Sequence, residues 1–295
     1  MKFSPEQPKI VVIGSCTLDL VMYTDKIPCE NESVIANSSE SFFGGKGANQ
    51  AVGVARLDAH VYFVGCVGED PLGQQIMRNL VSENVNVGFV RETSKDSTGT
   101  AYVTSSKEET AIVMLPAANN HISISDIEAA DKPILTSQMV LLQLEISMDV
   151  IEYAAKKAKA INKIVGLYAS PGKKISEELI ALADFIIVKS NDLAQIFGEE
   201  EKEVVLRKYI NKVFIRDETN STLYFDGNEV KYYRNNNEGN SYKMGMGDAF
   251  TSGFAVAMCH KNSIEDCVKF GNEVSARTQY EKGPQAGLPH ISDFK

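Results

Sequence analysis

Residues 44–51, Gly-Gly-Lys-Gly-Ala-Asn-Gln-Ala, form a segment whose residue types could bind a polar ligand. Three glycines within four positions let the backbone approach a ligand closely and adopt positive φ angles. A helix that begins there adds unpaired N–H groups and the positive end of its dipole. Lys46 and Asn49 could hydrogen-bond to hydroxyl groups. A glycine-rich helix start with nothing bound explains this pattern equally well, so the segment alone does not decide.

A second segment, residues 245–250, reads Gly-Met-Gly-Asp-Ala-Phe and precedes an apolar helical stretch. Backbone amides beside Gly245 and Gly247 could stabilise a developing negative charge. The helix dipole keeps a carboxylate ionised there, so Asp248 could accept a proton from an attacking hydroxyl group. The alternative is that Asp248 only caps the helix, a common role of Asp. On this segment alone, capping is favoured.

Two further acids, Asp19 and Glu145, follow apolar runs of strand length. Ligands of open α/β sheets bind outside the carboxyl ends of the strands, so both acids could contact ligand hydroxyl groups. Either could equally lie in a solvated loop. The four histidines show no metal-binding spacing, and the sequence has no GxSxG, HExxH, GxxxxGK[ST] or GxGxxG motif.

Short apolar runs alternate with helical patterns and predict a mainly parallel sheet with helices on both faces. Helices are predicted from about Ala48, after Asp70-Pro71, where an N-cap precedes proline, and after Asp248. The predicted strands are residues 10–13, 60–64, 139–144, 164–168, 185–188, 213–215 and 222–225.

Two β-rich stretches interrupt this alternation. Residues 33–43 form one, and residues 101–105 and 111–115 form a predicted hairpin around the polar turn 107–110. Both could belong to a small sheet that covers the strand ends as a lid. A plain edge extension of the main sheet is the alternative.

Composition and charge exclude several classes of partner. The chain has 295 residues and a formal net charge of −9, so we expect no nucleic-acid or anionic-membrane partner. The five cysteines show no CxxC spacing and predict free thiols in a reducing compartment. The N-terminal residues lack the apolar run of a secretory signal. We therefore expect a cytoplasmic protein, in which local amides, lysines or a metal ion hold any phosphate.

Taken together, these segments resemble the ribokinase family of PfkB-type carbohydrate kinases, over nearly the whole chain. Residues 44–51 are similar to the first family signature and residues 245–250 to the second. The resemblance implies a ribokinase-like α/β fold in one domain, residues 1–295, with lid strands from about residues 15–43 and 98–118. Further similar stretches are residues 65–70, 97–99, 142–145 and 184–198, with Lys282, Gly283 and Pro289.

The resemblance also implies a reaction, namely phosphorylation of D-ribose to ribose 5-phosphate, with ATP and Mg²⁺ as the donor complex. Asp248 would be the general base. The anion hole would consist of Gly245, Met246 and Gly247. The sugar would be held by Asp19, Gly44, Gly45, Lys46, Asn49 and Glu145. The nucleotide would be held by Lys189, Asp192, Arg216, Lys243 and Asn272, and Asp192 is also the candidate Mg²⁺ ligand.

The sequence departs from the family pattern mainly on the nucleotide side. Lys189, Arg216 and Lys243 could supply charge that Mg²⁺ or K⁺ normally provides, so we expect weak or absent K⁺ dependence. The departures are Thr17 for Asn, Tyr168-Ala169 for Asn-Pro, Lys189 and Asp192 for the ends of Asn-x-x-Glu, Arg216-Asp217-Glu218 for Thr-Leu-Gly, and Tyr242-Lys243 for Asp-Thr.

Two alternatives remain open. The chain could phosphorylate another sugar, a sugar phosphate or a nucleoside, although residues 48–50 favour ribose. It could instead be a non-catalytic sugar-binding descendant, which the altered donor positions favour and the retained Gly247 and Asp248 disfavour. A homodimer through the lid is a further expectation, with Val34, Ile35, Phe42, Phe43, Tyr102 and Val103 as candidate contacts.

Overall fold

The computed structural model describes residues 1–107, 109–234, 244–278 and 280–294. Within these residues, nine strands form the main sheet and four form a separate lid sheet. The strands are β1 (Lys9–Ile13), β2 (Thr17–Tyr23), β3 (Ser38–Gly44), β4 (His60–Gly68), β5 (Val85–Thr93), β6 (Thr100–Ser105), β7 (Thr110–Leu115), β8 (Met139–Gln143), β9 (Ile164–Tyr168), β10 (Phe185–Lys189), β11 (Val213–Arg216), β12 (Thr222–Phe225) and β13 (Val230–Tyr233).

Helices cover both faces of the main sheet. Asp70 caps one of them, α2, by accepting a hydrogen bond from the Gly73 amide, and Pro71 occupies its first position. The helices are α1 (Lys46–Arg56), α2 (Pro71–Ser82), α3 (Ile124–Ala129), α4 (Asp131–Thr136), α5 (Met148–Ala160), α6 (Glu177–Leu182), α7 (Leu193–Phe197), α8 (Lys202–Lys208), α9 (Met246–Cys259) and α10 (Ile264–Thr278).

The main sheet has the order β13-β12-β11-β10-β9-β8-β1-β4-β5. Pairing is parallel from β5 through β11 and antiparallel for β12 and β13. The central strand β1 pairs Ile13 with Val64 on one side and with Leu142 on the other. Parallel alignment brings the carboxyl ends of these strands to one edge, where the predicted site residues follow them.

Alternation along the strands divides the core into two layers. In β1, Ile10 and Val12 belong to one apolar cluster, while Val11 and Ile13 belong to the other. Helices α1, α2, α9 and α10 contribute to the first cluster, and α3 to α8 contribute to the second. Near-continuous apolar runs are expected for strands buried on both faces, which explains why these strands are recognisable from sequence.

The lid sheet has the order β3-β2-β6-β7. Strand β2 pairs antiparallel with β3 and parallel with β6, and β6 and β7 form an antiparallel hairpin. On the face toward the body, Val21, Ala101 and Val103 form a small buried cluster. On the opposite face, Tyr102 and its cross-strand partner Val113 are exposed.

The predicted fold class, a parallel sheet with helices on both faces and a small β lid, is confirmed. The predicted hairpin is present as β6 and β7. Within residues 33–43 the strand begins only at Ser38. Asp19, expected shortly after the strand at residues 10–13, lies within β2; this strand falls in the lid range of residues 15–43 that the resemblance implies, although the residue pattern alone did not indicate it. Strands β5 and β13 were also missed.

Helices α1 and α9 pack closely against each other. Gly53 of α1 lies so near Ser252 of α9 that a Cβ atom on the glycine would overlap the serine hydroxyl. This close approach brings the first turns of the two helices together at the edge where the strands end. Among the described residues, no helix is long and apolar enough to cross a bilayer.

Candidate active site

The first glycine-rich segment docks helix α1 onto the loop that follows β1. Gly45 has a φ angle of 84°, and a Cβ atom there would collide with the backbone of Cys16. The Ala48 amide donates to the Ser15 carbonyl oxygen at 2.9 Å. The tight turn therefore places the N-terminus of α1 directly beside the carboxyl end of β1.

Glu145 follows the end of β8 and lies beside this turn. Its Oε2 atom accepts hydrogen bonds from the Ser15 hydroxyl at 2.5 Å and from the Lys46 amide at 2.9 Å. The Lys46 ammonium group lies 3.2 Å from the Glu145 Oε1 atom. Glu145 thus joins the ends of β1 and β8 to the start of α1.

Asp19 reaches the same site from the lid. Its side chain is 8% exposed, and Thr17 donates a hydrogen bond to its Oδ1 atom at 2.7 Å. Burial raises the pKa of Asp19 to about 6, and the charges of Glu145 and Asp248 add to the rise, while Thr17 and Lys46 oppose it. A Cβ atom on Gly44 would overlap the Asp19 carboxylate, so the glycine makes room for this acid.

Asp248 lies in the first turn of α9, in contact with the first turn of α1. Its Oδ2 atom accepts a hydrogen bond from the Asn49 amide and its Oδ1 atom from the Gln50 amide, both at 3.0 Å. The N-cap of α9 is Gly245, so the alternative in which Asp248 merely caps the helix is wrong. The carboxylate is instead held by side chains of another helix.

Two further glutamine side chains extend this amide network. Gln143 donates to the Gln50 Oε1 atom at 2.8 Å, and Gln285 donates to the Asn49 Oδ1 atom at 3.1 Å. Because each acceptor oxygen of Asn49 and Gln50 is engaged, their NH₂ groups are directed at Asp248. The network therefore fixes the orientation of the carboxylate.

Burial and charge set the protonation of this site. Burial raises the pKa of Asp248 above its ordinary value, while Lys46 and the amides of Asn49 and Gln50 oppose the rise. Burial alone would lower the pKa of Lys46, but Glu145 and Asp248 raise it above its ordinary value. Lys46 therefore keeps its positive charge between these two carboxylates.

The start of α9 provides amides for a negative group. Gly245 adopts a left-handed conformation with a φ of 74°, and a Cβ atom there would collide with the Pro284 carbonyl oxygen. Helix geometry leaves the first amides, those of Met246 and Gly247, without intrahelical acceptors. Together with the helix dipole they make a candidate anion hole beside Asp248, as the resemblance predicts for Gly245, Met246 and Gly247.

A cavity lies between this anion hole and the ends of β9, β10 and β11. Its wall combines cationic, anionic and small residues, so it suits an ionic ligand rather than an apolar one. The lining residues are Lys46, Tyr168, Lys189, Ser190, Asn191, Arg216, Asp217, Glu218, Asn220 and residues 245–248.

Arg216 is buried at the inner end of this cavity. Its guanidinium donates to Thr222, to the Asn272 Oδ1 atom at 2.5 Å and to the Ser275 hydroxyl at 2.8 Å, and it lies over the Phe250 ring. Burial lowers the pKa of Arg216 to about 9, so the group remains charged at neutral pH. Ser275 in turn donates to the Met246 carbonyl oxygen at 3.0 Å.

The predicted nucleotide-side residues are not all brought together. Lys189 and Arg216 line the cavity, and Asn272 lies behind it as a hydrogen-bond acceptor of Arg216. Asp192 is not among the lining residues, and its Oδ1 atom lies 3.0 Å from the position of a Cβ atom on Gly172. Lys243 lies outside the described residues.

Several site residues escaped the sequence analysis. Gln50 immediately follows Asn49, so its place in the same glycine-rich helix start was the available signal. Gln143 and Gln285 carry no such signal, since a neutral amide is common and their partners are distant in sequence. Tyr168 was noted only as a departure from the family pattern, although it lines the cavity.

The comparisons agree with this architecture. A family model for the pfkB family carbohydrate kinases matches residues 7–291. The chain is 31% identical to the ribokinase of Bacillus subtilis over 280 residues, covering 95% of this chain and 96% of the relative. It is 32% identical to the ribokinase of Lactococcus lactis over 292 residues, covering 97% and 96%.

Solved structures give the same result. The Arabidopsis thaliana ribokinase complexed with ribose and ATP superimposes with a TM-score of 0.86 at 27% identity, covering 97% of each chain. Fold and comparisons together define a carbohydrate kinase. The chain belongs to the pfkB family of carbohydrate kinases.

We predict that Asp19→Asn stabilises the protein above pH 6. The folded pKa of about 6 exceeds the ordinary value of 3.8, so ionisation of Asp19 opposes folding. Stability from this group is present below pH 4 and is lost as the pH rises through 6. The substitution should raise the free energy of unfolding by about 3 kcal/mol at pH 7.5 and leave it unaltered near pH 3.5. Denaturant melts at both pH values measure this.

Asp126→Asn is the matched control, because Asp126 is also 8% exposed but pairs with Arg91. Burial raises the pKa of Asp126, but hydrogen bonds from Arg91 and Ser123 outweigh this and hold the pKa below the ordinary value. This control should destabilise the protein at pH 7.5. Equal destabilisation by both substitutions would contradict the electrostatic account of Asp19.

We predict that Gln50→Met moves the acidic limb of the kcat–pH profile to higher pH. The Gln50 amide lowers the pKa of Asp248, so its removal should raise that pKa and require a higher pH for the carboxylate to act as base. Gln285→Met is the control, because Gln285 binds Asn49 but not the carboxylate. An unmoved limb in Gln50→Met, or an equal shift in both variants, would show that the amide does not tune Asp248.

Proposed function

We propose that this carbohydrate kinase transfers the γ-phosphoryl group of ATP to the 5-hydroxyl group of D-ribose. The observation that carries the proposal is Asp248, a buried carboxylate held by two amides at the start of a helix whose first N–H groups are free. A base adjacent to an anion hole is what phosphoryl transfer to a hydroxyl group requires. Identity of about 31% to a ribokinase over nearly the whole chain supports ribose as the acceptor.

We propose that the sugar binds between the lid sheet and the N-terminus of α1. Asp19 and Glu145 offer carboxylate oxygens to sugar hydroxyl groups, and Lys46 and Asn49 offer donors. The turn at Gly44 and Gly45 brings backbone close to the ligand. The charges of Glu145, Lys46 and Asp248 all affect the pKa of Asp19, which supports one shared pocket for the four groups.

The donor is placed in the cavity next to the anion hole. Lys46, Lys189 and Arg216 are positive, whereas Asp217, Glu218 and Asp248 are negative, so the described lining carries little net charge. A triphosphate therefore needs further positive charge, which Mg²⁺ supplies. The described residues contain no group of three or more His, Cys, Asp or Glu side chains arranged to hold a metal ion. Mg²⁺ would thus be held mainly by the donor phosphates and water, with Asp192 as the candidate protein ligand.

In the proposed reaction the sugar hydroxyl oxygen attacks the γ-phosphorus atom in line with the leaving oxygen. Asp248 accepts the hydroxyl proton as the new P–O bond forms and the bond to ADP breaks. The amides of Met246 and Gly247 face the charge on the transferring group. Bound Mg²⁺ would supply positive charge to the donor phosphates, with Asp192 as its candidate protein ligand. That little K⁺ is needed stays a prediction from the sequence, because Tyr242 and Lys243 lie outside the described residues.

One observation favours the second candidate, a sugar-binding protein without turnover. Asn272 is one of the residues expected to hold the nucleotide, but its Oδ1 atom already accepts hydrogen bonds from Arg216 and Thr222. A donor site closed by these contacts would leave a functional sugar pocket and no phosphoryl transfer. Asp248 argues against this candidate, because a protein that only binds sugar gains nothing from a buried base.

We also propose that the protein forms a homodimer through the outer face of the lid sheet. Met22, Tyr102, Val113 and Leu115 are exposed apolar residues on its strands, and Val113 is 69% exposed. Strand alternation places Tyr102 on the face opposite the buried cluster of Val103. A contiguous apolar face of this kind marks an interaction surface. The earlier candidate Val103 faces inward and would not contribute.

We predict that Asp248→Asn lowers ribose-dependent ADP release by about 100- to 10,000-fold, while ribose still binds, because the amide cannot accept the hydroxyl proton and general-base catalysis contributes about 10² to 10⁴-fold. Asn removes a buried charge but turns its NH₂ group toward the NH₂ group of Asn49 or Gln50, so a thermal melt checks that the variant is folded. A coupled assay with Mg-ATP and D-ribose measures turnover, and calorimetric titration measures ribose binding.

Asp217→Asn is the control, because Asp217 lines the cavity but its carboxylate accepts hydrogen bonds from Thr219 and Ser221 in its own turn and from the Tyr232 hydroxyl. Full activity of Asp248→Asn would eliminate the proposed base. Ribose binding without turnover in the unmodified protein would instead support the second candidate. Turnover with another pentose or a nucleoside, but not with ribose, would change only the acceptor that is assigned to the kinase.

We predict that Val113→Glu converts the protein from dimer to monomer. The charge would be desolvated in the centre of the proposed interface, which is unfavourable unless it is paired. Light scattering coupled to size exclusion gives the mass. Leu135→Glu, at a 56% exposed apolar position on α4, is the control and should leave the mass unaltered. A monomeric parent protein, at concentrations of about 100 μM, would contradict the proposal.

A further inference from the structure

Tyr168 is the one large aromatic residue among those that line the donor cavity. It is the last residue of β9, near the middle of the main sheet, and its side chain is 2% exposed. Its ring belongs to the same apolar cluster as Phe250 and Phe254 of α9. The core therefore fixes the ring, while the cavity wall includes the residue itself. A phenol held in this way is a rigid and preorganised group.

The hydroxyl end of Tyr168 lies against the anion hole. A Cβ atom on Gly247 would overlap the Tyr168 hydroxyl oxygen and would lie 2.7 Å from Cζ. Gly247 is the second residue of α9 and immediately precedes Asp248. The phenol is thus in direct contact with the backbone that presents the anion-hole amides. Only glycine at position 247 leaves room for this contact.

Charged neighbours show that the hydroxyl group remains protonated. Burial raises the pKa of Tyr168 above its ordinary value, and the negative charge of Asp248 raises it further. Lys46, Ser170 and Arg216 oppose this rise but do not reverse it. The phenol is therefore a neutral O–H donor over the working pH range and cannot act as the base.

These observations place an O–H donor among the base, the anion-hole amides and the Lys46 ammonium group. We propose that the Tyr168 hydroxyl donates a hydrogen bond to a non-bridging oxygen of the phosphoryl group during its transfer. The inference rests on the proposed kinase function. Negative charge is spread over these oxygens in the transition state, so a fixed donor aimed at them accelerates the reaction. Tyr168 keeps its proton throughout, and the proton of the sugar hydroxyl goes to Asp248.

The alternative role of Tyr168 is packing alone, and the two roles differ in what the hydroxyl group contributes. If the ring only fills the core, Tyr168→Phe retains nearly all of its contacts and should leave catalysis intact. If the hydroxyl is a transition-state donor, the same substitution lowers kcat without changing KM for either substrate. Removal of the hydroxyl oxygen atom of Tyr168 therefore distinguishes the two roles.

The test compares Tyr168→Phe with Tyr62→Phe, a half-buried tyrosine on β4 that packs against His60 and Phe89 outside the site. We expect Tyr168→Phe to lower kcat by about 100-fold, as for removal of one anion-hole donor, with both KM values within about twofold. The melting temperature should stay close to that of the unmodified protein. Tyr62→Phe should retain full kcat.

A binding measurement adds a readout that is independent of turnover. ADP with Mg²⁺ and aluminium fluoride imitates the transferring phosphoryl group, and its affinity is compared with that of ADP and Mg²⁺ alone. We expect Tyr168→Phe to weaken the aluminium fluoride complex by about the same 100-fold and to leave ADP affinity unaltered. Unchanged kcat, a change in KM alone, or equal loss of affinity for both ligands would overturn the inference.

The outcomes also separate this inference from the proposed function. Absence of ribose-dependent turnover in the unmodified protein would contradict the proposed function. The comparison of aluminium fluoride affinities does not depend on which sugar is the acceptor. Equal affinities in the unmodified protein and in Tyr168→Phe would contradict the role of Tyr168, even if the kinase is fully active with ribose. If Tyr168→Phe fails to fold, replacement of Tyr168 by 4-fluorophenylalanine fills the space of the hydroxyl group without an O–H donor, and its unchanged affinity ratio overturns the inference equally.

Discussion

The buried carboxylate of Asp248 is the constraint on which the rest of the site depends. A charge removed from water needs hydrogen bonds and a counter-charge, and here Asn49, Gln50 and Lys46 provide them. All three belong to the first five residues of α1. The starts of α1 and α9 must therefore meet, and the close packing at Gly53 and Ser252 allows this. The packing of these two helices on one sheet face thus also satisfies the buried carboxylate.

The same site concentrates negative charge around a single lysine. Asp19, Glu145 and Asp248 influence one another electrostatically, and Lys46 is the cation that interacts with all three. Burial makes the ionised form of Asp19 unfavourable, so this residue lowers the stability of the empty protein. A ligand whose hydroxyl groups donate to these carboxylates would relieve that cost. Such a conflict between stability and function is common in binding sites.

The sequence revealed those parts of the molecule whose signals are local. Buried parallel strands appear as apolar runs, and the turns at Gly45 and Gly245 appear as glycine clusters, because both properties depend on neighbouring residues. Strand β2 was missed because the polar Thr17 and Asp19 interrupt its apolar pattern. Its burial comes from β3 and β6, which lie far along the chain.

The amide network was unpredictable for a related reason. Gln50 and Asp248 are 198 positions apart, and the direction of a neutral amide is decided by its tertiary neighbours. The orientation of Tyr168 has the same origin, because its ring direction follows from packing under α9. Residue type and spacing indicated Asp248 as a candidate base, together with the glycines beside it. The groups that orient the base became visible only when the helices were placed in space.

The position of Asp19 on β2 has a consequence for the contact between the lid sheet and the body. Glu145 and Asp248 belong to the body of the protein, whereas Asp19 belongs to the lid sheet. A sugar bound by carboxylates from both parts acts as a cross-link between the two sheets. Under the proposed function, sugar binding would therefore stabilise the contact between the lid sheet and the body, because the ligand would bind only where carboxylates of both parts meet.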